Sequence, residues 1–159
     1  MATRALTLRS GGARDVAAVD RLMADAFDPS YGEAWTRNQC TGVLAMPGVS
    51  LLLAELDDEP AGFTLTRRII DETELLLLAV ARLHRGHGVG GALLRAVIAE
   101  ARGRDCAKLH LEVRAGNPAA RLYADHGFEK VGERRGYYKG TSGELHDAHS
   151  YRLMLTPAY

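Results

Sequence analysis

Two side chains in this 159-residue chain could do acid–base chemistry together: Glu112, in an apolar strand-like run, and Tyr123, in the helix-like segment that follows. A carboxylate can take a proton from an attacking amine, and a phenol can give one to a leaving group. Upstream lies a glycine-rich stretch, Arg85-Gly-His-Gly-Val-Gly-Gly91, between an apolar run and a helix-like one. Such a loop offers backbone N–H groups at the positive end of a helix dipole, a seat suited to a pyrophosphate.

The elements that must position these groups follow from periodicity. An apolar run over residues 74–80 predicts a central strand without an exposed face. From Val89 to about Arg102, Val89, Leu93 and Val97 form one helical stripe, with Gly103 near the expected end. A strand is expected over 109–113, and Asn117 as cap with Pro118 as first residue predicts a short helix to His126, stopped by Gly127. Earlier, residues 6–9 alternate like a strand. Val16, Val19, Leu22, Met23, Ala26 and Phe27 mark a helix ending before Asp28-Pro29, and a shorter helix is expected over 33–44. Strands over 50–56 and 61–70, joined at Asp57-Asp-Glu-Pro60, make a hairpin; strands over 129–138 and 148–155 close the chain around a polar loop. The fold class expected is therefore α/β: a single domain over 1–159 with a mixed sheet, mostly antiparallel, around one central parallel β-α-β unit.

Composition narrows the partners. Twenty basic and twenty acidic residues cancel, so no global field draws nucleic acid or an anionic membrane. The start lacks the apolar core of a signal peptide and no apolar run approaches a membrane span, so the chain reads as cytoplasmic. Cys40 and Cys106 form no framework and read as packing; His146-x-x-His149 lacks the companions of a metal site, and no metal is expected.

Gly86-His-Gly-Val-Gly-Gly91 also satisfies G-x-G-x-x-G, with Glu112 at a strand end where a dinucleotide fold places its ribose acid. The context argues against a doubly wound fold, since only one short helix and a hairpin follow Glu112. A Walker loop is excluded because no Gly-Lys-Ser/Thr follows the glycines.

Arg85-x-x-Gly88-x-Gly90 resembles the coenzyme A pyrophosphate motif of the GNAT acyltransferase superfamily. Leu111-Glu-Val-Arg114 with Asn117, then Leu122-Tyr123-x-x-x-Gly127-Phe128, is similar to that superfamily's next strand and helix. The tail Glu133-Arg-Arg-Gly-Tyr-Tyr138 narrows the resemblance to the ribosomal-protein alanine N-acetyltransferases. The firm motifs run from Val80 to Tyr138.

The resemblance implies an acetyl-CoA-dependent N-acetyltransferase with a GNAT-like fold, direct transfer in a ternary complex, and as acceptor a protein N-terminus of the ribosomal-protein alanine type. Backbone groups at Leu78, Ala79 and Val80 would pair with the pantetheine arm, and the Val80 amide would polarise the thioester carbonyl. Amides of Gly86, His87, Gly88, Val89, Gly90 and Gly91 would hold the pyrophosphate beside Arg85, and Asn117 would reach the coenzyme. Glu112 would be the general base and Tyr123 the donor to the departing thiolate. An α-amine, with a pKa near 8 against about 10.4 for lysine, is neutral far more often near neutral pH, so one modest carboxylate suffices. Asn117 and Tyr123 stand one residue closer than the family pattern, which turns one against the other by about 100° on a helix and bears on the coenzyme contact of Asn117.

Acceptor contacts are expected from Tyr31, Trp35, Tyr137 and Tyr138, whose rigid aromatic faces suit an extended peptide. The acids Glu33, Glu144 and Asp147 would attract a cationic amine. Acetylation of a small amine or a lysine side chain, and a non-catalytic acetyl-CoA-binding module, remain the alternatives.

Overall fold

A computed structural model describes residues 5–155. Seven strands form one sheet in the order β1-β2-β3-β4-β5-β7-β6. The chain runs β1 (Leu6–Gly11), α1 (Val16–Ala26), α2 (Arg37–Leu44), β2 (Val49–Leu56), β3 (Glu59–Ile69), β4 (Glu72–Val80), α3 (Val89–Gly103), β5 (Lys108–Arg114), α4 (Ala119–Asp125), β6 (Glu129–Lys139) and β7 (Leu145–Met154), with single 3-10 turns at Ala13–Asp15, Pro29–Tyr31 and Arg82–His84. Every neighbouring pair is antiparallel except β4 and β5, which α3 joins as a parallel crossover. The expected mixed sheet with one β-α-β unit is therefore present.

Two features of β4 build the site. Its pairing with β5 covers only Glu72↔Lys108 to Leu75↔Leu111, so the strands part beyond Leu75. On the other side, Leu65 pairs with Leu77 and Thr66 with Leu75, leaving Leu76 as a bulge. A bulge inserts one residue and re-aims those after it. Leu75 accordingly packs with the α3 and α4 residues Leu94, Val97 and Tyr123, whereas Leu77 and Ala79 pack with α1 residues such as Val19 and Met23. As expected, no residue of the strand is exposed: odd positions are buried and even ones half-buried, because part of β4 walls an open groove.

Other boundaries move for local reasons. The helix expected from Glu33 begins at Arg37, since Thr36 Oγ1 accepts from the Gln39 amide and Gln39 Oε1 from the Thr36 amide, a reciprocal cap. The 57–60 turn shortens to Asp57 and Asp58, both at positive φ (52° and 66°), as a two-residue hairpin turn requires, and Glu59 and Pro60 join β3. Asn117 does cap α4, its Oδ1 accepting from the Ala119 amide at 2.9 Å, although the helix ends one residue early at Asp125. Asp147 belongs to β7, and its Oδ1 accepts from the Gly136 amide, joining the last hairpin rather than facing a groove. Among the described residues no helix is long and apolar enough to cross a membrane.

Candidate active site

Where β4 and β5 part, alternate residues from Leu76 to Val80 turn backbone polar groups into the gap instead of to a neighbouring strand. A cavity of about 780 Å³ begins there, lined by Leu78, Ala79 and Val80, and runs to the loop before α3. That is within the size range of ligand pockets. Gly86 and Gly88 both take φ near +80°, a conformation that L side chains adopt at a cost. No amide from Gly86 to Gly91 has a backbone acceptor among the described residues. Six donors at the N-terminus of a 15-residue helix, with open space beside Gly86 and Gly88, fit a pyrophosphate.

The side chains of this loop are held by backbone carbonyls. The Arg85 guanidinium donates to the Val80 carbonyl at 3.3 Å and the Ala26 carbonyl at 3.0 Å, fastening the loop to β4 and to the end of α1. His87 turns Nδ1 towards the carbonyls of His84 and Arg85 and is not among the residues lining the cavity. Gly86, Gly88, Val89, Gly90 and Gly91 do line it, as does Arg85.

A second, smaller cavity of about 130 Å³ adjoins the first and contains Glu112, Tyr123, Trp35, Tyr137 and Tyr138. Tyr31 lies apart, in the larger cavity, with the Arg114 guanidinium 3.7 Å above its ring. Glu112 projects from β5, where Ser150 Oγ of β7 donates to its Oε2 at 2.7 Å and Arg134 Nε of β6 meets its Oε1 at 3.1 Å. Tyr123 is buried, 5 % exposed, against Phe128 and Tyr151. Burial foremost, and the charge of Glu33 after it, push its phenol well above the ordinary tyrosine range. The same two causes, with smaller effects from Tyr137 and Glu112, raise Tyr138. Both phenols therefore stay protonated donors at any physiological pH.

Glu33 and Asn117 line both cavities. Glu33 Oε1 accepts from Arg114 Nε at 3.0 Å and its Oε2 from Asn117 Nδ2 at 2.8 Å. The side chain of Asn117 is thus spent on Glu33 and on the α4 cap. Glu144 and Asp147 line neither cavity. The segment carrying Glu33 is roofed by the last hairpin: the Thr141 amide donates to the Pro29 carbonyl, and His146 Nε2 approaches the Ser30 carbonyl at 3.2 Å. Gly32 and Gly140 make this possible, because a Cβ on either would collide with the backbone of Lys139 or Ser30.

Residue spacing pointed to Glu112 and Tyr123, which share a cavity. It missed Arg114, Arg134 and Ser150, which hold the two carboxylates from strand positions whose partners are far away in sequence. Cys40 and Cys106 are both buried, Cys106 with its sulfur 3.2 Å from Thr73 Oγ1. Among the described residues no group of three His, Cys, Asp or Glu side chains could hold a metal ion.

Known proteins share this fold. The model of the acetyltransferase (GNAT) family matches residues 16–128. The [ribosomal protein bS18]-alanine N-acetyltransferase of Escherichia coli K12 is 43 % identical over 84 residues, 52 % of this chain and 57 % of that protein, so the match spans little more than half of the relative. The crystal structure of the Escherichia coli ribosomal-protein-S18-alanine N-acetyltransferase superposes with a TM-score of 0.86 at 30 % identity, covering 98 % of this chain and 97 % of the other. Arabidopsis thaliana NAA60, solved in complex with acetyl-CoA, has the same fold at 19 % identity, with a TM-score of 0.81 over 95 % of this chain and 99 % of that one. By the family match, the extent of the superposition and the glycine loop at the parting of β4 and β5, this chain belongs to the GNAT acetyltransferase family.

Proposed function

We propose that this chain is an acetyl-CoA-dependent N-acetyltransferase acting on the α-amine of a protein N-terminus, of the ribosomal-protein alanine type. The observation that carries this reading is the meeting of the two cavities at the end of β4. The larger has room and unpaired amides for coenzyme A; the smaller presents a carboxylate and a protonated phenol. That a relative is a [ribosomal protein bS18]-alanine N-acetyltransferase supports the acceptor class.

In this reading the amides from Gly86 to Gly91 hold the pyrophosphate, and the backbone of Leu78, Ala79 and Val80 holds the pantetheine arm. Coenzyme A supplies the activated thioester. Glu112 takes a proton from the acceptor ammonium through a water, freeing the nitrogen lone pair to form the C–N bond. The Val80 amide stabilises the oxyanion formed on the carbonyl oxygen. As the carbonyl re-forms and the C–S bond breaks, the nitrogen gives up its second proton to water, and Tyr123 donates its proton to the thiolate and regains one from solvent. The thiol of the product, with a pKa about 8.5, is a stronger acid than the phenol, so Tyr123 acts chiefly as a hydrogen-bond donor. In this reading the enzyme works in the cytoplasm, where ribosomal proteins are made.

Thiol release from acetyl-CoA tests the reading, with peptides beginning in Ala, Ser or Met, an N-acetylated peptide and a panel of small amines. Release with free peptide termini is the expected outcome. Release with small amines alone would transfer the enzyme to that substrate class, and release with none would leave a binding module.

A further inference from the structure

We propose that Glu33 is the carboxylate that receives the acceptor's α-amino group and aims it at the thioester, while Glu112 takes the proton. This rests on the acetyltransferase reading above and assigns to the same site a residue absent from the acid–base pair.

Position is the first argument. Glu33 is the one charged side chain that lines both cavities among the described residues, whereas Glu112 lines only the smaller. An amine attacking a thioester must stand where the two spaces meet, and there it finds Glu33.

Construction is the second. The Glu33 side chain is only 9 % exposed and is paired with an arginine that is 11 % exposed. Burying such a pair costs desolvation that its attraction does not reliably recover, so fold stability alone is a weak reason for it. Arg114 and Asn117 each occupy one oxygen, which fixes the carboxylate rotamer and leaves each oxygen a further lone pair. Arg114, held in turn on the Tyr31 ring, already balances the charge. A carboxylate so balanced accepts N–H bonds from both the ammonium and the neutral amine. It can therefore hold the nitrogen through deprotonation without locking the proton on.

The chemistry this site recognises is an unblocked amine. The test is binding of two peptides that differ only in N-terminal acetylation, each titrated into the enzyme saturated with coenzyme A, where no reaction occurs. Wild-type enzyme should bind the free-amine peptide at least about tenfold more tightly, the worth of one charge-assisted hydrogen bond. Glu33→Gln should bring that ratio to within about twofold while leaving the affinity for the acetylated peptide in place, and Glu33→Asp should restore part of the ratio. Equal loss for both peptides, an unchanged ratio in Glu33→Gln, or no preference in the wild type would each overturn the assignment. The last of these holds whether or not the variants fold. Wild-type thiol release with the free-amine peptide, measured alongside, separates the two readings: turnover with an intact preference in Glu33→Gln sinks only the role of Glu33, and no turnover sinks the acetyltransferase reading.

Discussion

Asn117 Nδ2 donates to Glu33 Oε2 across 2.8 Å, tying the segment before α2 to the turn before α4 over 84 positions of sequence. The same side chain accepts from the Ala119 amide, so one residue sets both the start of α4 and the wall between the cavities. Asn117→Ala removes both bonds and leaves Glu33 short of a donor. We expect a loss of about 1–2 kcal/mol, a Tm lower by roughly 2–8 °C, and a larger rise in acceptor KM than in coenzyme A Kd. Asn117→Asp keeps the cap acceptor but sets a second carboxylate against Glu33, so it should raise acceptor KM with the cap intact. Calorimetry and initial rates check both variants.

The proposed acid–base pair gives a pH signature. Because the Tyr123 phenol is pushed up by burial and by Glu33, its deprotonation lies beyond the usual assay range. The rate should climb as the α-amine deprotonates near pH 8 and then level off, with no descending limb up to about pH 10. Tyr123→Phe should lower kcat without changing that shape. Glu112→Gln should lower kcat/KM by about a hundredfold or more, with coenzyme A affinity unchanged, since Glu112 lies outside the larger cavity.

Gly32→Ala tests the roof. Gly32 sits at φ +70° with the Lys139 carbonyl where a Cβ would be. The variant must shift either the Glu33 segment or the last hairpin. We expect a loss of more than about 1 kcal/mol from the backbone conformation alone, together with weaker peptide binding. Gly143→Ala carries a similar positive φ but open space, so it isolates the conformational cost from the collision.

Asp15 gives an acid-stability prediction away from the site. Its carboxylate accepts from Arg9 Nη2 and from the Gly12 amide, both at 2.9 Å, and the Arg9 bond foremost holds its pKa below the usual carboxylate range. A depressed folded-state pKa means the contribution is complete above the unfolded value near 3.9 and fades as pH falls through the folded one. Asp15→Asn should therefore cost about 1–3 kcal/mol at neutral pH and show less loss of stability than wild type on acidification. Urea unfolding at pH 7 and pH 3 measures the difference.

The order of elements was legible because each carries a local pattern: the helical stripe of α3, the apolar run of β4, the Asn-Pro cap before α4. The glycine loop was legible because the proposed phosphate seat is made of consecutive backbone. The bulge at Leu76 was not, since it arises from the mismatch between β3 and β4 rather than from any signal in Leu75-Leu-Leu77. Nor was the clamp on Glu33, whose partners Arg114 and Asn117 meet it only after β5 is laid beside β4. Arg85 shows the converse limit: its motif position is clear, but the guanidinium bonds the Ala26 carbonyl, an acceptor that only packing supplies.

The proposed reaction is transfer to an α-amine where the cavities meet. Its most direct test is a peptide with a free N-terminal alanine and one internal lysine, incubated with the enzyme and acetyl-CoA and fragmented in the mass spectrometer. The expected product carries acetyl on the N-terminal residue and an unmodified lysine. Acetyl on the lysine, with the terminus free, would contradict it.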